Sequence, residues 1–242
     1  MKRLAEDGWR GFLDLIYPRS CAVCGGEVGR EGVHLCWECL SAVPVIGLPF
    51  CSLCGDPVEG LVEHSYRCSW CRRHRPAFDL ARSAVRHRGG FRRALHAFKY
   101  DGAVWLRIDF LRLLEACVAT HFTDIVFDAV TYVPLYPTRE RHRTYNQAGT
   151  LARGLSARLG VPLGRGLLRR VRATASQTEL SAAARRSNVR GAFRAVHPRW
   201  IEGRRFLLVD DVMTTGATVN EVSRVLKEAG AVGVYVVTLA RG

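Results

Sequence analysis

The fold of this chain is decided by the stretch Phe206-Leu-Leu-Val-Asp-Asp-Val-Met-Thr-Thr-Gly-Ala-Thr-Val-Asn-Glu221. Its first four residues, Phe206–Val209, form an apolar run of the length expected for a strand buried on both faces of a parallel sheet. The acids Asp210 and Asp211 follow the strand, and the loop Thr214–Thr218 comes next. Apolar residues then recur at helical spacing until a glycine ends the pattern. The predicted order is therefore strand, acidic pair, loop and helix.

This order predicts a site for a phosphorylated sugar. Open α/β sheets bind ligands beyond the carboxyl ends of their strands, and a helix N-terminus there offers N–H groups to an anion. Gly216 permits close approach of the backbone, while Thr214, Thr215 and Thr218 add hydroxyl donors. Ionised carboxylates only accept hydrogen bonds, so the two acids suit sugar hydroxyls or a hydrated Mg²⁺ beside the phosphate. A ribose 5-phosphate fits both halves.

The segment from Val209 to Thr218 resembles the phosphoribosyl-pyrophosphate (PRPP) signature of type I phosphoribosyltransferases. It is not a Walker loop, because no Gly-Lys-Ser/Thr follows. The alternative interpretation is an ordinary buried strand and turn. The resemblance implies that the two acids are the candidate catalytic residues. The residues it implies for PRPP binding, with Mg²⁺, are Asp210, Asp211, Met213, Thr214, Thr215, Gly216, Ala217 and Thr218.

A second anion site is predicted where another apolar run, Ala129–Pro134, ends. The arginine-rich segment Leu135–Ala148 follows it and is predicted to be a loop that opens a helix. Arg139 and Arg143 are placed to bind phosphate oxygens in bidentate fashion, and pyrophosphate is the natural occupant beside a ribose phosphate. Further along, the polar and basic segment Arg169–Asn188 suits a mobile lid over an anionic ligand, or else a solvated helix and loop without a specific role.

Eight of the nine cysteines form four Cys-x-x-Cys pairs, which is a strong signal for structural zinc. Eight thiolates suffice for one or two Zn²⁺ sites, and both sequential and cross-braced pairing are open. A disulfide framework would need an oxidising compartment, for which the sequence gives no targeting signal. The predicted metal ligands are Cys21, Cys24, Cys36, Cys39, Cys51, Cys54, Cys68 and Cys71. The ninth, Cys117, is predicted to lie on an amphipathic helix and to be buried in the protein core.

The cysteine pattern also predicts how the chain is divided. A small metal-stapled module would occupy residues 1–75, because a core of that size needs such support. An α/β domain would occupy residues 76–242. Acids interrupt the apolar residues near the N-terminus, which favours a short amphipathic helix ending near Pro18 over a secretory signal. No apolar run is long enough to cross a bilayer, so we expect a cytoplasmic protein without membrane insertion.

The net charge of +14 is concentrated in one part of the chain. Between Arg139 and Arg205 there are 16 arginines and only three acids, Glu140, Glu179 and Glu202. Such an excess predicts a basic face for a polyanion. A coding bias toward arginine also contributes to the number of arginines, since only three of the 36 basic residues are lysine. Bias of that kind does not account for the scarcity of acids.

Nearly the whole chain resembles the ComF family of competence-associated proteins, which includes the GntX group. The resemblance adds to the PRPP segment the cysteine ribbon, Val133-Pro-Leu-Tyr-Pro-Thr-Arg139, Arg143-Thr-Tyr-Asn-Gln147, Thr174-x-x-Gln177-x-x-Leu180, Asn188-Val-x-Gly-Ala-Phe193 and Thr238-Leu-Ala-Arg241. One departure is Thr144, where the family usually has glycine in Arg-Gly-aromatic-Asn-Gln. Asn146 and Gln147 are kept and join Arg139 and Arg143 in the predicted pyrophosphate loop.

The resemblance implies a type I phosphoribosyltransferase-like α/β fold, Rossmann-like with a parallel sheet, behind a Cys-rich zinc ribbon. It also implies a part in the uptake of single-stranded DNA during natural transformation. Two functions follow. One is PRPP binding combined with the handling of single-stranded DNA and contact with the uptake machinery. The alternative is an active phosphoribosyltransferase, acting on an unidentified nucleobase or amine and without a DNA role.

Overall fold

The computed structural model describes residues 20–28, 34–60, 62, 65–174 and 182–242. The predicted N-terminal amphipathic helix lies outside these residues. The described helices are α1 (Trp37–Ser41), α2 (Ser69–Arg73), α3 (Gly89–Tyr100), α4 (Arg107–His121), α5 (Pro137–Arg143), α6 (Gln147–Leu159), α7 (Ala182–Val189), α8 (Pro198–Ile201) and α9 (Ala217–Glu228), with a 3₁₀ turn at Val104–Leu106. None of them is long and apolar enough to cross a membrane.

The predicted parallel sheet is confirmed. Its four strands, in the spatial order β1-β6-β5-β2, are Leu80–Arg86 (β1), Ala129–Tyr132 (β2), Arg205–Met213 (β5) and Gly233–Arg241 (β6). The apolar run of β5 is fully buried, so both faces of this inner strand are covered, as its composition predicts. A separate antiparallel ribbon pairs β3 (Leu168–Arg170) with β4 (Phe193–Ala195).

The register of the sheet places the two predicted anion sites at one edge. Tyr132 at the end of β2 pairs with Val209, directly before the acids of β5. Met213 at the end of β5 pairs with Arg241 at the end of β6. Because parallel strands end at the same edge, the segments after β2 and β5 leave the sheet side by side.

The contacts of the chain divide it into two compact units. One comprises Met1–Pro44 and Arg88–Asp109, and the other comprises Val45–His87 and Phe110–Gly242. The second unit contains the sheet and the ribbon. It also contains the cysteines Cys51, Cys54, Cys68, Cys71 and Cys117. The division of the sequence into modules 1–75 and 76–242 stays a prediction. Cys117 is buried on α4, as predicted.

Candidate functional site

The two acids of β5 lie half-buried at the carboxyl end of the strand. The backbone N–H of Asp211 donates to Oδ1 of Asp210 at 2.9 Å, which orients that carboxylate. Asp210 also lines a small cavity with Thr214, Gly216 and Thr218. Its volume of about 10 Å³ corresponds to about one water molecule.

Gly216 determines the shape of the loop. It is the N-cap of α9, with φ 74° in the left-handed region that glycine adopts without strain. A Cβ at this position would lie 2.7 Å from Cε of the buried Met213. Met213 and Ala217 thus form the buried floor of the loop, while the threonines remain partly exposed. The loop therefore requires glycine for its backbone conformation and for its close approach to Met213.

The predicted arginine-rich loop after β2 is partly helical. Helix α5 begins at Pro137, because the fixed φ of proline suits a first helical turn and its missing N–H costs nothing there. It ends at Arg143, and the φ of 69° at its C-cap Thr144 is the only positive φ of a non-glycine residue in the described ranges. Thr144 therefore adopts the left-handed conformation that favours glycine, and a β-branched residue is strained in it.

Arg139 and Arg143, the predicted pyrophosphate ligands, lie on α5. Nη2 of Arg139 donates to the carbonyl oxygen of Thr174 at 2.9 Å, and Nη1 of Arg143 donates to Oε1 of Gln147 at 3.3 Å. Asn146 is the N-cap of α6, accepting from the N–H of Gly149 at 3.0 Å. Its Nδ2 donates to the carbonyl oxygen of Val133 at 3.2 Å and so ties α6 to the end of β2. Direct binding of pyrophosphate by these residues stays a prediction.

Electrostatic effects link the acids of β5 with the segment after β2. Burial raises the pKa of Tyr145, and the negative charge of Asp211 raises it further, while the Gln147 hydrogen bond and Arg143 act in the opposite direction. Burial, together with repulsion from Arg139, lowers the pKa of Arg170 to about 10, and Asp210 opposes this shift. Asp210 and Asp211 therefore lie close enough to Arg170 and Tyr145 to influence their pKa values.

Arg170 is a candidate site residue that the sequence analysis missed. It is 6% exposed, its Cζ lies 5.2 Å from the ring centroid of Phe193, and one Nη group donates to Oγ1 of Thr174. Its Nε is buried and has no partner among the described residues. The alternation of Leu168, Arg169 and Arg170 along β3 places the first and third on the inner face, but three residues are too few to predict a strand from the sequence. Residues 175–181 of the predicted lid lie outside the described residues.

The cysteines form two groups of four, paired sequentially. Within each group all four sulfur atoms lie within 4.8 Å of one another. The groups are Cys21, Cys24, Cys36 and Cys39, here called the first quartet, and Cys51, Cys54, Cys68 and Cys71, the second quartet. The sulfur atoms of Cys24 and Cys36 are 3.7 Å apart, as are those of Cys54 and Cys68. Four thiolates placed tetrahedrally at about 2.3 Å from zinc would be separated by about 3.8 Å.

Backbone N–H groups point at the sulfur atoms in both quartets. Gly26 donates to Cys24 and Cys39 donates to Cys36, each at 3.4 Å. In the second quartet Cys68 donates to Cys51 at 3.4 Å, and a hydrogen bond from Cys54 together with such backbone donors lowers the pKa of Cys51 to about 4. Thiolates held by backbone donors fit Zn²⁺, and the two Cys₄ sets support two structural zinc sites.

Comparison with known proteins agrees with this description. Residues 12–74 match the double zinc ribbon domain family, and residues 146–242 match the phosphoribosyl transferase domain family. Fold and site together define a phosphoribosyltransferase-type protein with a double zinc ribbon. A solved structure of glutamine PRPP amidotransferase from B. subtilis, complexed with ADP and GMP, is similar to part of this chain, with 28% sequence identity and a TM-score of 0.38. The match covers 55% of this chain and 25% of the amidotransferase chain.

Three curated relatives match over most of their length. Competence protein F of Haemophilus influenzae is 33% identical over 226 residues, which are 91% of this chain and 96% of the relative. DNA utilization protein YhgH of Escherichia coli K12 is 31% identical over 231 residues (94% and 99%), and competence protein ComFC of Bacillus subtilis is 30% identical over 243 residues (93% and 96%). The chain belongs to the ComF family.

Proposed function

We propose that this protein binds PRPP, or a related ribose 5-phosphate, and handles single-stranded DNA during its uptake in the cytoplasm. The observation that carries the proposal is the position of Asp210. Asp210 lines the cavity of the Gly216 loop, and its negative charge opposes the lowering of the pKa of the buried Arg170. A ligand with a phosphate, sugar hydroxyls and a pyrophosphate needs the loop, the acids and the arginines next to one another.

Each part of PRPP has a proposed partner. The 5-phosphate accepts hydrogen bonds from the first N–H groups of α9 and from the hydroxyls of Thr214, Thr215 and Thr218. The ribose hydroxyls donate to Asp210 and Asp211. Arg139, Arg143 and Arg170 bind the pyrophosphate, where guanidinium groups match pairs of phosphate oxygens.

Mg²⁺ suits this acid-rich edge, since it prefers oxygen ligands and binds through one or two carboxylates plus phosphates. Asp210 and Asp211 would hold it, and it would neutralise charge on the pyrophosphate. The protein side chains would fix the sugar between the acids and the loop. This arrangement lets binding energy be used to position the C1′–O bond.

Calorimetric titration with PRPP in the presence of Mg²⁺ tests the site. Asp211→Asn should weaken binding about tenfold or more, because a charged acceptor of sugar hydroxyls or Mg²⁺ is lost. Asp124→Asn is the matched control, since Asp124 is an exposed acid outside the proposed site. Equal binding by wild type and Asp211→Asn would contradict the proposed ligand contacts.

The DNA role is supported by the names of the relatives and by the charge of the chain. Competence protein F, ComFC and DNA utilization protein are names given to proteins that match nearly the whole chain. The 16 arginines between Arg139 and Arg205 supply the positive charge that a polyanion requires. Binding of a single-stranded oligonucleotide should weaken steeply with salt, and the absence of binding at low salt would contradict this part of the proposal.

Phosphoribosyl transfer is the second candidate. The buried Arg170, whose charge interacts with that of Asp210, favours it, since a buried cation could stabilise departing pyrophosphate. A screen of nucleobases and amines for pyrophosphate release, with Asp211→Asn as the negative control, tests it. PRPP binding without turnover of any acceptor would leave the binding function and exclude transfer to those acceptors.

A further inference from the structure

Two arginines face each other on the outer side of the β3–β4 ribbon. Arg169 pairs directly with Arg194 in the antiparallel register, and both are exposed. Their neighbours Arg170 and Phe193, which also pair, are buried on the inner side. No carboxylate of the described residues forms a salt bridge with either exposed guanidinium. Like charges directly opposite each other destabilise a ribbon, so this pair favours an anion between them.

A groove lies at the end of the ribbon. The N–H of Val196 donates to the carbonyl oxygen of Leu167 at 2.8 Å, which extends the pairing of β3 and β4 by one step. Beyond this pair opens a cavity of about 610 Å³. Leu167, Val196 and the half-buried Trp200 form its apolar wall, and the exposed Arg165 and Arg199 stand at its rim. An apolar wall with an aromatic ring and a cationic rim suits a flat base attached to a phosphate backbone.

The surrounding chain adds positive charge and almost no negative charge. Between Arg165 and Arg205 the sequence has 11 arginines and two acids, of which Glu202 is the one in the described residues. Arg204 stacks on Trp200, with its Cζ 4.5 Å from the ring centroid, so this aromatic is already part of a cationic environment. The Arg169/Arg194 pair and the Leu167/Val196 pair at the groove are two steps apart on the ribbon, so the arginines and the groove are neighbours in a stretch of high positive charge.

We propose that the outer face of the β3–β4 ribbon and the Trp200 groove together bind single-stranded nucleic acid. Arg169 and Arg194 contact phosphates, Arg165 and Arg199 guide the backbone, and one base enters the groove beside Trp200. A duplex keeps its bases stacked and paired, so it cannot place one there, which is why the surface favours a single strand. This inference deepens the proposed DNA-handling function, on which it rests, and it is independent of PRPP binding.

The test is fluorescence anisotropy of a labelled oligo(dT) with the full chain over a range of salt concentrations. Arg169→Gln combined with Arg194→Gln should weaken binding about tenfold and make the salt slope shallower by about 1.4, which is about 0.7 for each lost phosphate contact on a single strand. The matched control is Arg112→Gln with Arg153→Gln, which removes the same charge from two exposed helical arginines outside this surface. The control pair should change affinity and slope far less.

A second measurement isolates the base. An abasic oligonucleotide of the same length and charge should bind the wild type several-fold less tightly than oligo(dT), as expected when one stacked base is lost. Trp200→Leu should reduce this difference, and circular dichroism would show whether that variant is folded. Equal binding of the two oligonucleotides would contradict the base-binding groove.

The outcomes separate this inference from the proposed function. If wild type binds oligo(dT) and the Arg169/Arg194 variant binds it equally well, the surface is wrong while DNA handling stands. If wild type binds no oligonucleotide but still titrates PRPP, both the surface and the DNA role fail and the PRPP site stands. If the variant loses affinity for anionic lipid vesicles and not for oligo(dT), the surface serves a membrane and the inference is overturned.

Discussion

Arg241 and Cys54 join the last strand of the sheet to the second cysteine quartet. Nη1 of Arg241 donates to the carbonyl oxygen of Cys54 at 3.4 Å, and Nη2 lies 4.0 Å from its sulfur. The same guanidinium donates from Nε to Oδ1 of Asp56 at 3.0 Å. Because Arg241 pairs with Met213, the contact reaches the strand that carries the candidate PRPP loop.

Arg241→Gln should destabilise the protein by about 1–3 kcal/mol, since a buried hydrogen-bonded charge is lost and Asp56 loses its partner. Urea unfolding with zinc present measures the change, and release of zinc to a chromogenic chelator should become faster. Arg86→Gln is the control, because the 3.9 Å ion pair of Arg86 with the exposed Glu59 contributes about 0–1 kcal/mol. Equal effects of the two substitutions would mean that the Cys54 contact adds nothing.

Thr144→Gly should stabilise the protein by about 0.5–1 kcal/mol. The left-handed conformation costs a β-branched residue about 1–2 kcal/mol, and the greater freedom of glycine in the unfolded chain offsets about 0.5–1 kcal/mol. Thermal unfolding is the measurement. Thr120→Gly is the control: Thr120 lies on α4, where helical φ suits threonine, so the same change should give no gain. A loss of stability in Thr144→Gly would show that the turn is not strained.

Gly216→Ala should abolish measurable PRPP binding. The new methyl group would lie 2.7 Å from Cε of Met213, so either the loop or Met213 must move. Gly203→Ala is matched to it, because Gly203 has a similar φ of 72° and no atom within 4 Å of an added Cβ. Both variants carry the backbone strain, about 1–2 kcal/mol. Retention of PRPP binding by Gly203→Ala alone would assign the loss to the loop.

Arg170→Met should weaken PRPP binding without lowering the free energy of unfolding. A buried guanidinium with an unpartnered Nε is costly to desolvate, so an apolar residue of similar length should leave the free energy of unfolding nearly unchanged or raise it. Affinity for PRPP should fall about tenfold or more, while affinity for ribose 5-phosphate, which has no pyrophosphate, should change little. Equal losses for the two ligands would place Arg170 away from the pyrophosphate.

The sequence predicted the parts of this protein that follow from local rules. The apolar run ending in Asp210 and Asp211 indicated an inner parallel strand, because only both-sided burial tolerates such a run. The end of β2 and the end of β5 were each predicted as anion sites, and parallel strands necessarily bring such ends to one edge. The spacing of the cysteines predicted the Cys₄ sets, and only the structure showed that their pairing is sequential.

Features that depend on distant contacts were not predicted. The sequence of helix α5 predicts a loop, since seven residues beginning with proline and rich in arginine carry no apolar periodicity. Arg170 falls within the predicted polar lid, because three residues are too few to indicate a strand. The tie between Cys54 and Arg241 joins residues 187 positions apart, and no spacing rule reports on such a pair.

The alternation along β3 gives two neighbouring arginines opposite surroundings. Arg169 faces water and Arg170 faces the interior, and only their order distinguishes them. Deleting one residue just before this pair would leave the net charge and the arginine count unchanged, yet it would shift the strand by one step and exchange the two environments. Homologues that conserve basic composition here but differ by one residue in the length of the preceding turn should therefore differ in both proposed binding properties at once.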